Sequence, residues 1–159
     1  VGIAGSPEKC RWVTEDLGFD ECIDYRAESI ADGLRRTCPD GIDVYFDNVG
    51  GETLNEVLAR INNFARIILC GAISQYNTGE PAPGPANIIN AISRRALLQG
   101  FIILDHMDRA PEAMQAMGGW ISKGELQVRT HVLEGLDSAP QALLDLFTGA
   151  SLGKTLVRL

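Results

Sequence analysis

Apolar positions along the chain come in two alternating patterns, and the alternation predicts the architecture. Short, dense apolar runs at residues 1–4, 22–25, 42–46 and 65–70 carry β-branched and aromatic side chains and predict strands. Between them, apolar residues recur at helical spacing over 7–17, 29–38 and 52–61. Ser6-Pro7 supplies a cap and a proline at the first helical position, Gly18 a stop, and Pro39-Asp40-Gly41 a turn. The run "ARIILC" (65–70) is almost continuously apolar, as in a strand buried on both faces. Such alternation predicts parallel βαβ units in an α/β, Rossmann-like, doubly wound and mostly parallel sheet. Beyond it, 71–86 is a long loop rich in Gly, Pro, Ser and Asn, longer than a simple connector needs. A helix over 87–96, a strand over 98–104 and a helix over 110–123 follow. The tail is expected to hold strands at 127–133 and 154–158 around a helix at 138–147.

Composition narrows the function classes. The 159 residues carry a net charge of −7, and basic residues stand side by side only at Arg35-Arg36 and Arg94-Arg95, which disfavours a nucleic-acid partner. No apolar run approaches the roughly 18–20 residues of a membrane helix. Cys10, Cys22, Cys38 and Cys70 have irregular spacing and no CxxC, so no metal site or disulfide framework is expected, and reduced cysteines point to the cytoplasm. His106 and His131 lack ligand-spaced partners and are expected at the surface or internally satisfied. Trp12, Trp120, Met114 and Met117 fall at helical spacing beside apolar residues and are expected to pack in the core. The chain opens on "VGIAG", already in mid-strand, as a piece of a longer protein would.

Candidate chemistry gathers at strand ends. In a dinucleotide fold, small polar and basic residues after the second strand admit a 2′-phosphate, where an acid would hydrogen-bond a 2′-hydroxyl. "VGIAGSPEK" places Ser6 and Lys9 at such a position, at a helix start that favours an anion. The same residues also read as a plain cap and a surface lysine. "FDNVGG" (46–51) and "CGAISQYN" (70–77) occupy the carboxyl ends of consecutive predicted strands, the edge where open α/β sheets bind ligands. Asp47 or Asn48 there reads as either cap or site. Tyr76 reads either as a donor to a developing oxyanion or as a solvated loop aromatic, whereas Cys70, on an apolar strand, is expected to pack. A GxGxxG loop is absent, "GASLGKT" (149–155) is one residue too short for a phosphate loop, and no YxxxK pair follows any tyrosine.

Taken in order, "AGSPEK", "GFDECIDY", "GIDVYFDNVGGETL", "ARIILCGAISQYN", "GPANI", "LQGFIIL" and "GASLGK" resemble the zinc-independent medium-chain dehydrogenase/reductase superfamily. The likeness is to its leukotriene B4 12-hydroxydehydrogenase/prostaglandin reductase branch, which includes bacterial curcumin reductases. The resemblance implies an NADPH-dependent reductase of the C=C bond of α,β-unsaturated ketones and aldehydes. It assigns the adenosine 2′-phosphate to Lys9 and Tyr25 with Ser6 nearby. Cofactor contacts fall to Asn48 and to Cys70, Gly71, Ala72, Ile73, Ser74 and Tyr76. Phe101, Ile102 and Ile103 are expected to flank the nicotinamide. Hydride would pass to the substrate β-carbon, Tyr76 and the nicotinamide ribose hydroxyl would hold the enolate oxygen, and solvent would protonate the α-carbon. "GFIIL" would pair across a homodimer interface.

Two departures stand out against that family. Ser151 replaces the asparagine of "GANLGK", a shorter side chain in place of one cofactor contact. The barrel-like N-terminal domain is missing, as are the first Rossmann strand and its glycine-rich loop, a strand that belongs between residues 1–4 and 42–46. On this reading residues 1–126 form a partial NADP-binding domain, and 127–159 return toward the catalytic domain. A quinone reductase, or a non-catalytic nucleotide-binding or structural remnant, remains the alternative.

Overall fold

The computed structural model describes residues 1–76, 83–149 and 151–159. Six connected units build the main body: β1 (Gly2–Ala4), α1 (Pro7–Arg11), β2 (Cys22–Asp24), α2 (Ile30–Thr37), β3 (Ile42–Asp47) and α3 (Gly51–Ala59). β4 (Ile61–Leu69), α4 (Asn90–Arg94), β5 (Leu97–Gly100) and α5 (Ala110–Lys123) continue it. β6 (Thr130–Glu134), α6 (Ala139–Thr148) and β7 (Lys154–Arg158) complete the described elements. Every strand pair is parallel, which agrees with the α/β expectation.

The core lies where α2 and α3 cover the strands. Ile23, Ile30, Leu34, Ile42, Leu54, Val57, Leu58, Ile61, Ala65 and Ile67 are buried together. Gly33 faces the strand from α2, and a Cβ there would lie 2.5 Å from Ile23 Cγ2, so a hydrogen is all that the packing admits. Ser29 starts this helix: its Oγ accepts the Asp32 N–H at 3.1 Å and donates to Asp32 Oδ2 at 2.8 Å, a reciprocal cap.

Several expectations are corrected. The strands form three sheets, β1-β2, β3-β4-β5 and β6-β7, and the break between the first two falls where the resemblance places a missing strand. β1 and β3 do not pair, and a cavity of about 300 Å³ lined by Ile3, Leu34, Ile42, Tyr45 and Val57 lies between them. The first helix is α-helical only to Arg11 and continues as a π turn over Trp12–Asp16. β4 starts at Ile61, earlier than predicted, because a bulge separates the pairs Ile42↔Ile61 and Val44↔Arg66 and holds Phe64 at φ 65°. The helix expected over 87–96 is a 3₁₀ turn (Ala86–Ile89) followed by α4. The strand expected over 98–104 ends at Gly100, where its neighbour β4 ends, and Ile103–Arg109 coil into 3₁₀ turns. The tail strand is shifted to Thr130–Glu134, the stretch that β7 pairs.

The aromatic and sulphur side chains of α5 are corrected as well. Met114, Met117 and Trp120 are 70%, 42% and 48% exposed. They line an apolar groove with Met107 and Ile103 of the preceding 3₁₀ turns. Trp12 is half-buried.

Candidate functional site

Two clusters occupy the carboxyl ends of the strands. The first is a basic corner beyond β1 and β2. Ser6 leaves β1 in extended conformation and caps α1, its Oγ accepting the Lys9 N–H at 3.2 Å. The Lys9 ammonium donates to the Gly149 carbonyl at 2.6 Å, and Arg26 Nη2 donates to the Thr148 carbonyl at 3.0 Å. Those carbonyls end α6, so two cations meet the negative pole of a helix. Arg26 also lies over the Tyr25 ring, 5.9 Å from its centroid. Tyr25 rests against Gly5, where a Cβ would fall 2.6 Å from the phenol oxygen. Ser6, Lys9 and Tyr25 are thus close together, and Arg26 joins them. Sequence reasoning passed over Arg26, although its position directly after Tyr25 at the end of β2 was a usable signal.

The second cluster laces the ends of β3 and β4. Cys70 and Gly71 donate their N–H groups to the Asp47 carbonyl at 2.8 and 3.1 Å. Ile73 N–H donates to the Asn48 carbonyl at 3.1 Å and Ser74 N–H to the Val49 carbonyl at 3.2 Å. Ser74 Oγ donates to that same Val49 carbonyl at 2.5 Å. Gly50 turns at φ 67°, and a Cβ there would come within 3.2 Å of the Ala72 Cβ. The glycine therefore serves both a left-handed backbone and a close approach. Asn48 is left exposed on the outside of this lacing.

Tyr76 folds back so that its hydroxyl accepts the Ala72 N–H at 3.1 Å. The phenol proton is then free to donate outward, which is what an oxyanion requires. A cleft of about 540 Å³ opens here between Leu69–Ala72, Tyr76, Gly100–Ile102 and Asp105. Phe101 packs edge-on to Phe46 at 6.2 Å and stacks on His106 at 5.2 Å.

Not every expectation for these residues holds. Cys70 was expected to pack and is exposed, because β4 ends one residue before it. Ile103 lines the α5 groove, which Phe101 also reaches, whereas Ile102 lines the cleft beside Tyr76. Ser151 is half-buried, two positions past the Gly149 that meets Lys9. The outer part of the loop, 77–82, lies outside the described residues.

Charge divides the edge. The corner is cationic, whereas at the β3 end the carboxylate of Asp47 is fully buried. Burial, reinforced by this carboxylate, pushes the Tyr45 phenol far above its ordinary pKa. Burial, with the Cys10 thiol alongside, raises Cys22 to about 12. Among the described residues, no group of three or more His, Cys, Asp or Glu side chains is arranged to hold a metal ion.

A family model described as zinc-binding dehydrogenase matches residues 17–157. The chain belongs to that family. Its branch is the zinc-independent one that the motifs resembled. It is 42% identical to the NADPH-dependent curcumin reductase of Escherichia coli, over 99% of this chain and 47% of that protein. Against the NADP-dependent 2-alkenal reductase of Nicotiana tabacum it is 40% identical, over 99% and 46%. The crystal structure of CurA from Vibrio vulnificus in complex with NADPH superposes with a TM-score of 0.91 at 41% identity, over 99% of this chain and 48% of that one. The chain therefore spans about half the length of the relatives it matches. The incomplete sheet and the family membership agree with a Rossmann-like cofactor-binding half.

Proposed function

We propose that this chain is the NADP-binding part of an oxidoreductase that reduces the C=C bond of α,β-unsaturated ketones and aldehydes. The observation that carries the reading is the convergence of Lys9, Arg26 and Tyr25 at the ends of β1 and β2. Two cations beside a helix start suit the dianionic 2′-phosphate that distinguishes NADP from NAD. The relatives named for NADPH or NADP support it.

In this reading Lys9, Arg26 and the Tyr25 hydroxyl donate to the 2′-phosphate, and Ser6 orders the first turn of α1. Asn48 and the segment from Cys70 to Tyr76 hold the far half of the cofactor. Its neutral end belongs there, because the Asp47 carboxylate would repel a phosphate. NADPH, when bound, supplies the hydride. Phe101 and Ile102 exclude water from the cleft, and the Tyr76 hydroxyl donates to the carbonyl oxygen of the substrate as charge develops on it. Ile103 and Ser151 are assigned lesser contacts.

The test is NADPH oxidation by the protein that carries this chain, with a 2-alkenal, a quinone and an alcohol as alternative substrates. Turnover with the alkenal, lowered about a hundredfold in Tyr76→Phe, is expected. Preference for the quinone, or an unaffected Tyr76→Phe variant, would contradict the assignment.

A further inference from the structure

Asp47 is the one buried polar side chain among the described core residues. A carboxylate is rarely tolerated there without donors around it. Its Oδ1 accepts three hydrogen bonds of 2.9 Å, from the Tyr45 hydroxyl, the Val49 N–H and the Gly50 N–H. Its Oδ2 is buried and has no hydrogen-bond partner among the described residues. Asp47 is not the cap of α3: that position is Gly50, and no side chain caps the helix. The carboxylate instead fastens the turn that precedes the helix.

The consequence falls on Asn48. The Asp47 carbonyl is held by Cys70 and Gly71, and the Asn48 carbonyl by Ile73. The next two N–H groups are held by Asp47 Oδ1. The backbone on both sides of Asn48 is therefore fixed, and the exposed amide is the group left to point outward. We propose that Asp47 is a positioning residue, which fixes the turn so that the Asn48 amide meets the neutral half of the cofactor. This rests on the NADP reading above. Asp47 reaches no ligand itself and acts through the backbone of Val49 and Gly50.

The chain is titrated with NADPH and with 2′,5′-ADP, which carries only the adenosine 2′-phosphate half, and thermal unfolding checks that each variant is folded. Asp47→Ala is expected to weaken NADPH about tenfold, the scale of one well-made hydrogen bond, and to leave 2′,5′-ADP within about twofold. Asp47→Asn keeps one acceptor oxygen and is expected to restore NADPH binding. In an Asn48→Ala background, Asp47→Ala is expected to cost NADPH nothing further. If Asp47→Ala does not fold, Asp47→Ser, too short to reach all three donors, takes its place. Equal losses for both ligands, or a full additional loss in the Asn48→Ala background, would overturn the proposal. So would an unchanged NADPH affinity in Asp47→Ala, with the NADP reading left standing. A wild-type chain that binds neither ligand removes that reading itself, and this inference with it.

Discussion

Two cations that could each have been ordinary surface residues, Lys9 and Arg26, reach carbonyls more than a hundred residues away in sequence, at the end of α6. That convergence carries the first prediction. Charge-assisted hydrogen bonds contribute about 1.5–3 kcal/mol each, so Arg26→Ala should weaken NADPH at least tenfold while NADH stays within about twofold. Fluorescence titration of both nucleotides checks it, and parallel losses would exclude a 2′-phosphate contact. At Cys22 the raised pKa keeps the thiol protonated up to about pH 12. Since only the thiolate is alkylated, Cys22 should resist iodoacetamide at pH 8 while the exposed Cys70 is labelled; peptide mapping distinguishes them. Ser6, Lys9 and Asn48 were legible as candidates because each stands just past a recognisable strand run, and Tyr25 through the family resemblance. Arg26 and the two roles of Asp47 were not, because they depend on a partner 122 residues distant and on burial that local pattern does not report.

Strand and helix order was legible because short apolar runs alternate with capped amphipathic ones, and α5 and β7 fall where the pattern puts them. What the pattern missed are ends set by a partner: β5 stops where β4 stops, and β4 begins early through a bulge. Helix α2 gives the clearest tests. Propensity alone favours Gly33→Ala by about 1 kcal/mol, yet the new methyl would press on the fully buried Ile23, and overpacking costs about 1–3 kcal/mol. We expect net destabilisation in urea unfolding; a stabilised variant would show that Ile23 can yield. Ser29→Ala removes the α2 cap and should cost about 1 kcal/mol. Asp32, hydrogen-bonded by Ser29 and paired with Arg35, has its pKa lowered. A depressed folded-state pKa gives a contribution that is present above the unfolded carboxylate pKa and lost as pH falls through the folded one. The Ser29→Ala deficit should therefore shrink in acid, and a deficit independent of pH would rule out the link to Asp32.

At the scale of the molecule, parallel strands, a helix-covered core and a ligand edge divided into a cationic corner and an acidic turn account for family membership and for the proposed cofactor. The doubly wound class was readable from alternation, whereas the separation of β1 from β3 was readable only through the family resemblance, which places a missing strand between them; periodicity does not register pairing across the sheet. Their facing edges, and the free edge of β5, leave backbone groups without strand partners, and such edges invite pairing with another chain. Light scattering of the chain should accordingly give a mass of a dimer or more; a monomer at all concentrations would contradict this. The central claim is that the edge recognises NADP through its 2′-phosphate. Titrating the wild-type chain with NADPH and NADH under identical salt tests it most directly. The account predicts that NADPH binds at least about tenfold more tightly, and equal affinities, or binding of neither, would contradict it.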